Sequence, residues 1–275
     1  MEVGIVARKG SERAAGVAAD LRAAVADAGE SVWIDEITAA ALNEPGAGRS
    51  VSTLEACDLA VAVGGDGTFL FVARNAGDTP IIGINLGEVG FLNAVSPAHA
   101  TEAVLTEVDA FNTGEMDVRE ASRLVASADG WSSVPAANEI VVQGQRRGPG
   151  SGIEYTVSVD ETEYASGRGD GVLVATPTGS TAYNLSERGP LVHPDVNGLI
   201  VNEMAADDGM PPLLVNLDAT VTVSVGSEGD AVVVSDGRNT TTRDGPTTVT
   251  IREASQPMRI AGPRSNFFEA LEKLS

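Results

Sequence analysis

One short stretch narrows the choice of fold more than any other. The run Asp58-Leu59-Ala60-Val61-Ala62-Val63 is apolar and lacks a helical period, so it reads as a buried strand. It leads directly into Gly64-Gly65-Asp66-Gly67-Thr68. Three glycines let the backbone turn sharply and leave its N–H groups open to a ligand, because no Cβ blocks the approach. Thr68 is expected to cap a helix over Phe69-Leu70-Phe71-Val72-Ala73-Arg74. Strand, glycine turn and helix N-terminus together form a cradle for phosphate oxygens. Asp66 places a carboxylate inside that cradle, where it repels phosphate unless it meets a metal, a hydroxyl or a proton. That makes Asp66 the first catalytic candidate. Gly-Asp-Gly also marks ordinary turns. No Gly-Lys-Ser/Thr follows it, so it is not a P-loop, and Leu70 stands where the dinucleotide fingerprint needs a small residue.

The flanking chain repeats the strand–helix theme. Val3 to Ala7 reads as a first strand, Ser11 opens an alanine-rich helix to Ala28 that Gly29 ends, and Ser31 to Ile34 is a second strand. Residues 35 to 50 carry Asn43, Pro45, Gly46 and Gly48 and read as a loop. Ile81 to Ile84 is a further strand, followed by the glycine-bearing stretch Asn85 to Phe91, and Pro97 to Phe111 has helical spacing. Such alternation predicts an α/β domain with an open parallel sheet, whose ligands lie at the carboxyl ends of the strands. From about residue 118 the texture changes. Apolar runs at 122–127, 139–142, 155–159, 171–175, 221–225, 231–234 and 247–251 alternate with glycine and proline turns, which predicts a β-rich domain over 118–255. The stretch Gln145 to Gly152 reads as an exposed hairpin loop. Asn266 to Leu274 reads as a short helix within a segment 256–275 that returns to the first domain, 1–117.

Composition bounds the partners. The net charge is -21, from 39 acidic and 18 basic residues, and Lys9 and Lys273 are the only lysines. Such an excess destabilises a compact fold by self-repulsion in dilute buffer, while at about 1 M salt the Debye length is only ~3 Å. A cytoplasmic protein of an extreme halophile is expected. The charge speaks against nucleic acid and anionic membranes as partners. No apolar run approaches the roughly 18 residues of a membrane span, and the N-terminus begins directly with a strand-like segment, so no signal peptide is expected. Cys57 is the sole cysteine, which excludes an internal disulfide and fits a reducing compartment.

The second domain has its own chemical stretch. Arg168-Gly169-Asp170-Gly171 leads through an apolar strand to Thr176-Pro177-Thr178-Gly179-Ser180-Thr181-Ala182-Tyr183-Asn184-Leu185-Ser186. Small residues there admit a flat ligand, hydroxyls and N–H groups supply hydrogen bonds, and Tyr183 can stack on a base. A structural turn explains the same composition. Serine-protease chemistry is disfavoured, because Ser180 lacks the Gly-x-Ser-x-Gly setting and neither His99 nor His193 is visibly coupled to it.

Taken in order, Gly64 to Thr68, Ile84-Asn85 with Gly90-Phe91, Asn138-Glu139, Asp170-Gly171, Thr176 to Tyr183 and Gly189 to Pro194 resemble the NAD kinase family. The Thr-Pro-Thr-Gly-Ser-Thr-Ala-Tyr run is the most specific of these. The resemblance implies the two-domain fold just described and transfer of the γ-phosphoryl group of ATP, or of polyphosphate, to the adenosine-ribose 2′-hydroxyl of NAD. It implies Asp66 as proton acceptor. Asp66, Gly67, Phe91, Asn138, Glu139, Arg168, Asp170, Thr181, Ala182, Tyr183 and Ser186 would contact NAD. Gly64, Gly65, Gly67 and Thr68 would serve the donor phosphates. It also implies Mg²⁺ near Asp66 carried by the phosphates, with no fixed protein metal site, and a homo-oligomer, dimer or tetramer. A non-catalytic dinucleotide sensor and a kinase of another hydroxyl substrate fit the same motifs. Three features depart from the family pattern: Met204 to Pro212, Arg238 after Asp236-Gly237, and the scarcity of lysine, which leaves arginines such as Arg8 or Arg74 to meet phosphate charge.

A free aspartate is a weak base, with a pKa of about 3.9, and phosphoryl transfer needs little activation of its nucleophile. Asp66→Asn is therefore expected to leave NAD binding largely intact and to lower kcat by about 10²-fold or more. An unchanged kcat in steady-state assays would remove Asp66 from the chemistry.

Overall fold

The computed structural model describes residues 1–87, 90–146, 148, 151–226 and 230–273. The chain divides into two compact units, Met1–Ala121 with Pro257–Ser275, and Ser122–Gln256.

In the first unit, β1 (Glu2–Ala7), β2 (Ser31–Ile34), β3 (Leu59–Gly64) and β4 (Ile81–Asn85) form a parallel array in the order β2-β1-β3-β4. Strand Met258–Ile260 joins β4 in parallel and pairs antiparallel with the edge strand β5 (Arg119–Ala121). All six residues of β3 are buried. Helices cover both faces of such a sheet, so a central strand reads as an unbroken apolar run. α1 (Glu12–Asp27) begins where Ser11 accepts a hydrogen bond from the Ala14 N–H at 3.2 Å, and Gly29 follows its end at φ +85°. It buries Ala14, Ala15, Ala18, Leu21 and Val25 on one stripe. Ala14, Ala18, Leu21 and Val25 enter a core that includes Ile5, Val61, Val63, Ile82 and Ile84. The 97–111 helical stretch forms a short 3₁₀ turn, Pro97–His99, and then a second core-facing helix, Ala100–Thr113, ended by Gly114 in the left-handed region.

Two expectations need correction. Residues 35 to 50 are not all loop, because α2 (Glu36–Ala41) lies there and a 3₁₀ turn, Val51–Ala56, follows. Asp35 starts α2 by accepting the Ile37 and Thr38 N–H groups at 3.1 and 3.3 Å. The turn residues Asn43 and Gly46 act only after the helix has ended. Thr68 does not cap the helix after β3. α3 spans Asp66–Ala73 with Gly65 at its N-cap and no side-chain cap. Asp66 occupies the first turn, where the positive end of the helix dipole favours a carboxylate. The helix Ala100–Thr113 is α4 in chain order.

The second unit is a sandwich of two antiparallel sheets. Its strands are β6 (Leu124–Ala128), β7 (Trp131–Ser132), β8 (Glu139–Gly144), β9 (Ile153–Val159), β10 (Thr162–Gly169), β11 (Gly171–Ala175), β12 (Gly198–Met204), β13 (Leu213–Asn216), β14 (Val221–Val225), β15 (Ala231–Ser235), β16 (Asn239–Arg243) and β17 (Thr247–Glu253). They run in the orders β10-β9-β14-β17-β6-β7 and β13-β12-β11-β8-β15-β16. Ile140, Val142, Val172, Val174, Val201 and Val233 of one sheet share a core with Val157, Val221, Val223, Val249 and Ile251 of the other. β14 alternates buried and half-buried residues, as a strand with one wet face must. β11 is buried throughout, because its reverse side, through Leu173 and Ala175, packs with Val141, Ile200, Met204 and Val192. The chain then folds through a 3₁₀ turn, Thr178–Thr181, and the one-turn helix α5 (Tyr183–Ser186). β18 (Met258–Ile260) is the strand already placed in the first unit, and α6 (Phe267–Glu272) closes the series. The expected 266–274 helix ends earlier, with Leu274 outside the described residues; parts of the 145–152 loop and Glu88-Val89 also lie outside them.

The Asp35 carboxylate also accepts the Thr38 hydroxyl, whose oxygen accepts the Ala7 N–H at 2.9 Å. One side chain therefore starts α2 and ties it to the end of β1. Asp35→Ala should cost about 1–2 kcal/mol of unfolding free energy, read from urea unfolding in molar KCl. An unchanged midpoint would show that the helix starts without this cap.

Candidate active site

The strand order of the first unit reverses between β1 and β3, and ligands of such sheets bind at the carboxyl ends of strands flanking that point. The glycine turn lies there. The Arg8 N–H donates to the Val63 carbonyl at 2.8 Å, so the loop after β1 lies against the turn after β3. Gly64 is required by packing. A Cβ on it would stand 2.4 Å from Thr68 Oγ1 and 3.0 Å from Arg8 Cβ. Gly65 and Gly67 differ, since among the described residues a Cβ on either would meet nothing within 4 Å, and neither lies in the left-handed region. The packing of the described residues does not demand glycine at these two positions. Arg74 closes the opposite end of α3, about 12 Å along the helix axis from the turn. Of the two arginines expected to meet phosphate charge, only Arg8 adjoins the turn.

Asp66 does more than occupy the cradle. Its Oδ2 accepts the Phe91 N–H at 3.0 Å and its Oδ1 the Leu92 N–H at 3.2 Å. Burial raises its pKa above the usual carboxylate value, and the N–H groups of Phe91, Leu92 and Asn93 oppose the rise. The carboxylate is therefore a better proton acceptor than a free aspartate while remaining an anchor for the 91–93 loop. Asn93 adds a second tie, its Nδ2 donating to the Gly64 carbonyl at 3.5 Å. Gly83 on β4 makes room for that side chain, since a Cβ there would sit 1.9 Å from Asn93 Oδ1.

In the second unit, Asn138, Glu139, Thr181, Ala182 and Tyr183 gather at one end of β8 and β11. The Asp236 carboxylate organises them by accepting the N–H groups of Ala137, Asn138 and Glu139 at 3.0, 2.8 and 3.3 Å. Thr176 donates its hydroxyl to the Ala137 carbonyl at 2.6 Å and accepts the Gly179 N–H at 3.1 Å. Gly179 can only be glycine, because a Cβ would lie 2.0 Å from the Asn138 carbonyl oxygen. Asn184, fully buried, donates to the carbonyls of Ser180 and Pro190 and fixes the turn that presents Tyr183 and the exposed Ser186. Glu139 is 4% exposed. Burial pushes its carboxyl up to about 8, the charge of Asp236 adds to the rise, and the Tyr183 N–H opposes it. Its Oε2 has no hydrogen-bond partner among the described residues.

Arg168 and Asp170 lie apart from this group. Gly171 pairs with Gln143, whereas Ala175 pairs with Glu139, so Asp170 is a strand length away, roughly 17 Å. Asp170 accepts the Gly148 N–H at 2.8 Å, and Arg168 is 3.8 Å from Glu154. The divergent 204–212 stretch packs here. The Asp207 N–H donates to the Arg168 carbonyl at 3.2 Å, and Glu203 holds the stretch by accepting the Tyr155 hydroxyl at 2.7 Å and the Met210 N–H at 2.6 Å. Arg238 is exposed on the turn after Asp236. Sequence reasoning missed the Asp236 clamp and the Asn93 tie. An Asp-Gly turn was visible, but the backbone it holds is 97 to 99 residues away.

Among the described residues no group of three or more His, Cys, Asp or Glu side chains could hold a metal ion. Both Asp66 oxygens already accept backbone N–H groups.

Residues 3–110 match the ATP-NAD kinase N-terminal domain, and residues 137–262 the ATP-NAD kinase C-terminal domain. The chain is 70% identical over 275 residues to the NAD kinase of Halorubrum lacusprofundi, covering 100% of both. It is 52% identical over 281 residues to the NAD kinase of Halobacterium salinarum, again over 100% of both. The crystal structure of an NAD kinase from Archaeoglobus fulgidus in complex with ATP superposes with a TM-score of 0.81 at 27% identity, covering 100% of each chain.

A carboxyl that ionises less readily folded than unfolded binds more protons in the native state. Its contribution to stability is fully present below its ordinary value of 4.5 and is lost as pH rises through about 8. Glu139→Gln removes that titration. Its Tm should fall less than the parent's between pH 4.5 and 8, measured by circular dichroism in molar KCl. Parallel Tm profiles would show that Glu139 ionises normally.

Proposed function

The chain belongs to the ATP-NAD kinase family and phosphorylates NAD to NADP, and we propose that the glycine turn after β3 holds the ATP phosphates while Asp66 receives the acceptor's proton. The observation that carries this reading is the pair Gly65 and Gly67. They lie at the switch point of the sheet, and among the described residues a Cβ placed on either would meet nothing within 4 Å. Close approach of a ligand to the backbone supplies the reason the protein's packing does not. The N–H groups of the first turn of α3 point out of the helix and receive phosphate oxygens. Gly64 and Thr68 shape that turn, and Arg8 brings a positive charge to it.

In the proposed step the 2′-oxygen of the adenosine ribose attacks the γ-phosphorus of ATP. The bond to the β–γ bridging oxygen breaks, ADP leaves, and the hydroxyl proton passes to Asp66. The transition state is loose, so orientation contributes more than deprotonation. A carboxylate with a raised pKa, pinned by two N–H groups, suits a late proton transfer. Phe91 and Gly67 border Asp66 and are assigned to NAD. Asn138 and Glu139 are assigned to its ribose hydroxyls, with Thr181, Ala182, Tyr183 and Ser186 around the base. Arg168 and Asp170 are kept for the nicotinamide half. Mg²⁺, if carried by the donor, would supply a counter-charge to its phosphates. A cytoplasmic enzyme working in high salt is proposed from the charge of -21 and from the two relatives in Halorubrum and Halobacterium. A dimer or tetramer is proposed, for light scattering in molar KCl to decide.

Purified protein in molar KCl with Mg²⁺, NAD and ATP should form NADP, read with an NADP-specific dehydrogenase. The Asp66→Asn signal should fall by about 10²-fold or more. Because Asp66 also anchors the 91–93 loop, some loss of NAD affinity should accompany that fall. Gly67→Ala should keep its Tm, since alanine favours a helix over glycine, yet raise the KM for ATP about tenfold or more, equivalent to about 1.4 kcal/mol. A Gly67→Ala enzyme with parental KM values would show that nothing approaches this backbone.

A further inference from the structure

The loop carrying Phe91 is held on its other side by a segment distant in sequence. The Ser265 hydroxyl donates to the Phe91 carbonyl at 2.6 Å. The Phe91 and Phe267 rings lie 5.9 Å apart at 54°, a tilted geometry that aromatic quadrupoles favour. Phe268 stands edge-on to Phe267 at 5.8 Å. Three of the six phenylalanines of an aromatic-poor chain thus gather where the backbone locks the catalytic carboxylate. Phe267 is buried, and Asn266 starts α6 by accepting the Phe268 and Glu269 N–H groups at 3.1 and 3.3 Å.

We infer that Ser265 and Phe267 are positioning residues for the reaction, holding the Phe91–Asn93 loop where its N–H groups fix Asp66. The peptide units around Phe91 are gripped at both ends, the N–H by Asp66 and the carbonyl by Ser265. Releasing the carbonyl and the ring frees the loop to move away from Asp66, leaving that carboxylate without part of its hydrogen bonding. It also misplaces Phe91, the ring assigned to NAD. The loop's tie to the donor turn runs from Asn93 to the Gly64 carbonyl and involves neither the Ser265 hydroxyl nor the Phe267 ring. The defect should therefore fall on NAD and on kcat, and should spare ATP. This inference rests on the proposed assignment of Phe91 to NAD.

The test is a double-mutant cycle on the full chain in molar KCl, with NAD affinity read by calorimetry and KM values by the NADP assay. Phe267→Ala should weaken NAD binding about tenfold, equivalent to about 1.4 kcal/mol, with the KM for ATP unchanged and Phe267→Tyr restoring affinity. In a Phe91→Ala background the effect of Phe267→Ala should all but vanish, because the partner ring is gone. Ser265→Ala, which removes a single hydroxyl, should weaken NAD binding about threefold and carries the comparison if Phe267→Ala does not fold. Additive effects of Phe91→Ala and Phe267→Ala, or equal losses for NAD and ATP, would overturn the inference and leave the Phe91 assignment standing. If Phe91→Ala by itself leaves NAD affinity unchanged, the assignment of Phe91 falls and the inference falls with it.

Discussion

A carboxylate that accepts backbone N–H groups is the interaction on which both candidate site loops depend. Asp66 takes two such bonds from the loop after β4, and Asp236 takes three from the segment entering β8. On the side that faces a ligand, a loop cannot be held by burying large side chains, because those would occupy the ligand's place. Charge-assisted bonds to the backbone fix a loop with almost no volume. The acidic balance of the chain makes carboxylates the plentiful clamp, and here the surplus is used inside the structure as well as on its surface.

The two clamps leave their neighbours in different electrostatic states. Asp66 sits at the positive end of α3, so its charge is supported by the helix dipole as well as by the loop. Glu139 has no such support. It lies beside the charge of Asp236 in a buried position, with one N–H to favour ionisation. Near neutral pH it is disposed to keep its proton and to act as a hydrogen-bond donor. On the proposed assignment that donor would meet a ribose oxygen, whereas Asp66 would accept.

Legibility in the sequence followed the kind of force at work. The parallel sheet was readable because β1, β3 and β4 are buried on both faces and therefore unbroken in their apolar runs. α1 was readable from Ser11 and Gly29. β10, with the sequence Thr162 to Gly169, and β16, with Asn239 to Arg243, were missed because they are polar hairpin partners whose strand form comes from their neighbours, β9 and β15. α2 was missed because glycine and proline after residue 42 masked the cap at Asp35. Of the candidate site, the glycine turn and the Thr176-to-Tyr183 stretch were visible as local patterns, whereas the dipeptide Asn138-Glu139 says almost nothing by itself and entered only through the family resemblance. The Asp236 clamp, the Asn93 tie and the grip of Ser265 on Phe91 were not. Each joins residues far apart in the chain, and no local periodicity records such a bond.

On the proposed reading, Gly67 sets the fold and the reaction at odds. Glycine in the first turn of a helix is a cost to the folded state, and alanine at position 67 would relieve it without its Cβ meeting another described residue within 4 Å. Mutational drift toward a sturdier protein is therefore open at this point on purely structural grounds. If the backbone there receives the donor, selection for turnover is what closes it. In such a lineage this position would register the strength of that selection more directly than any core residue, because at a core residue stability and activity fail together and cannot be told apart.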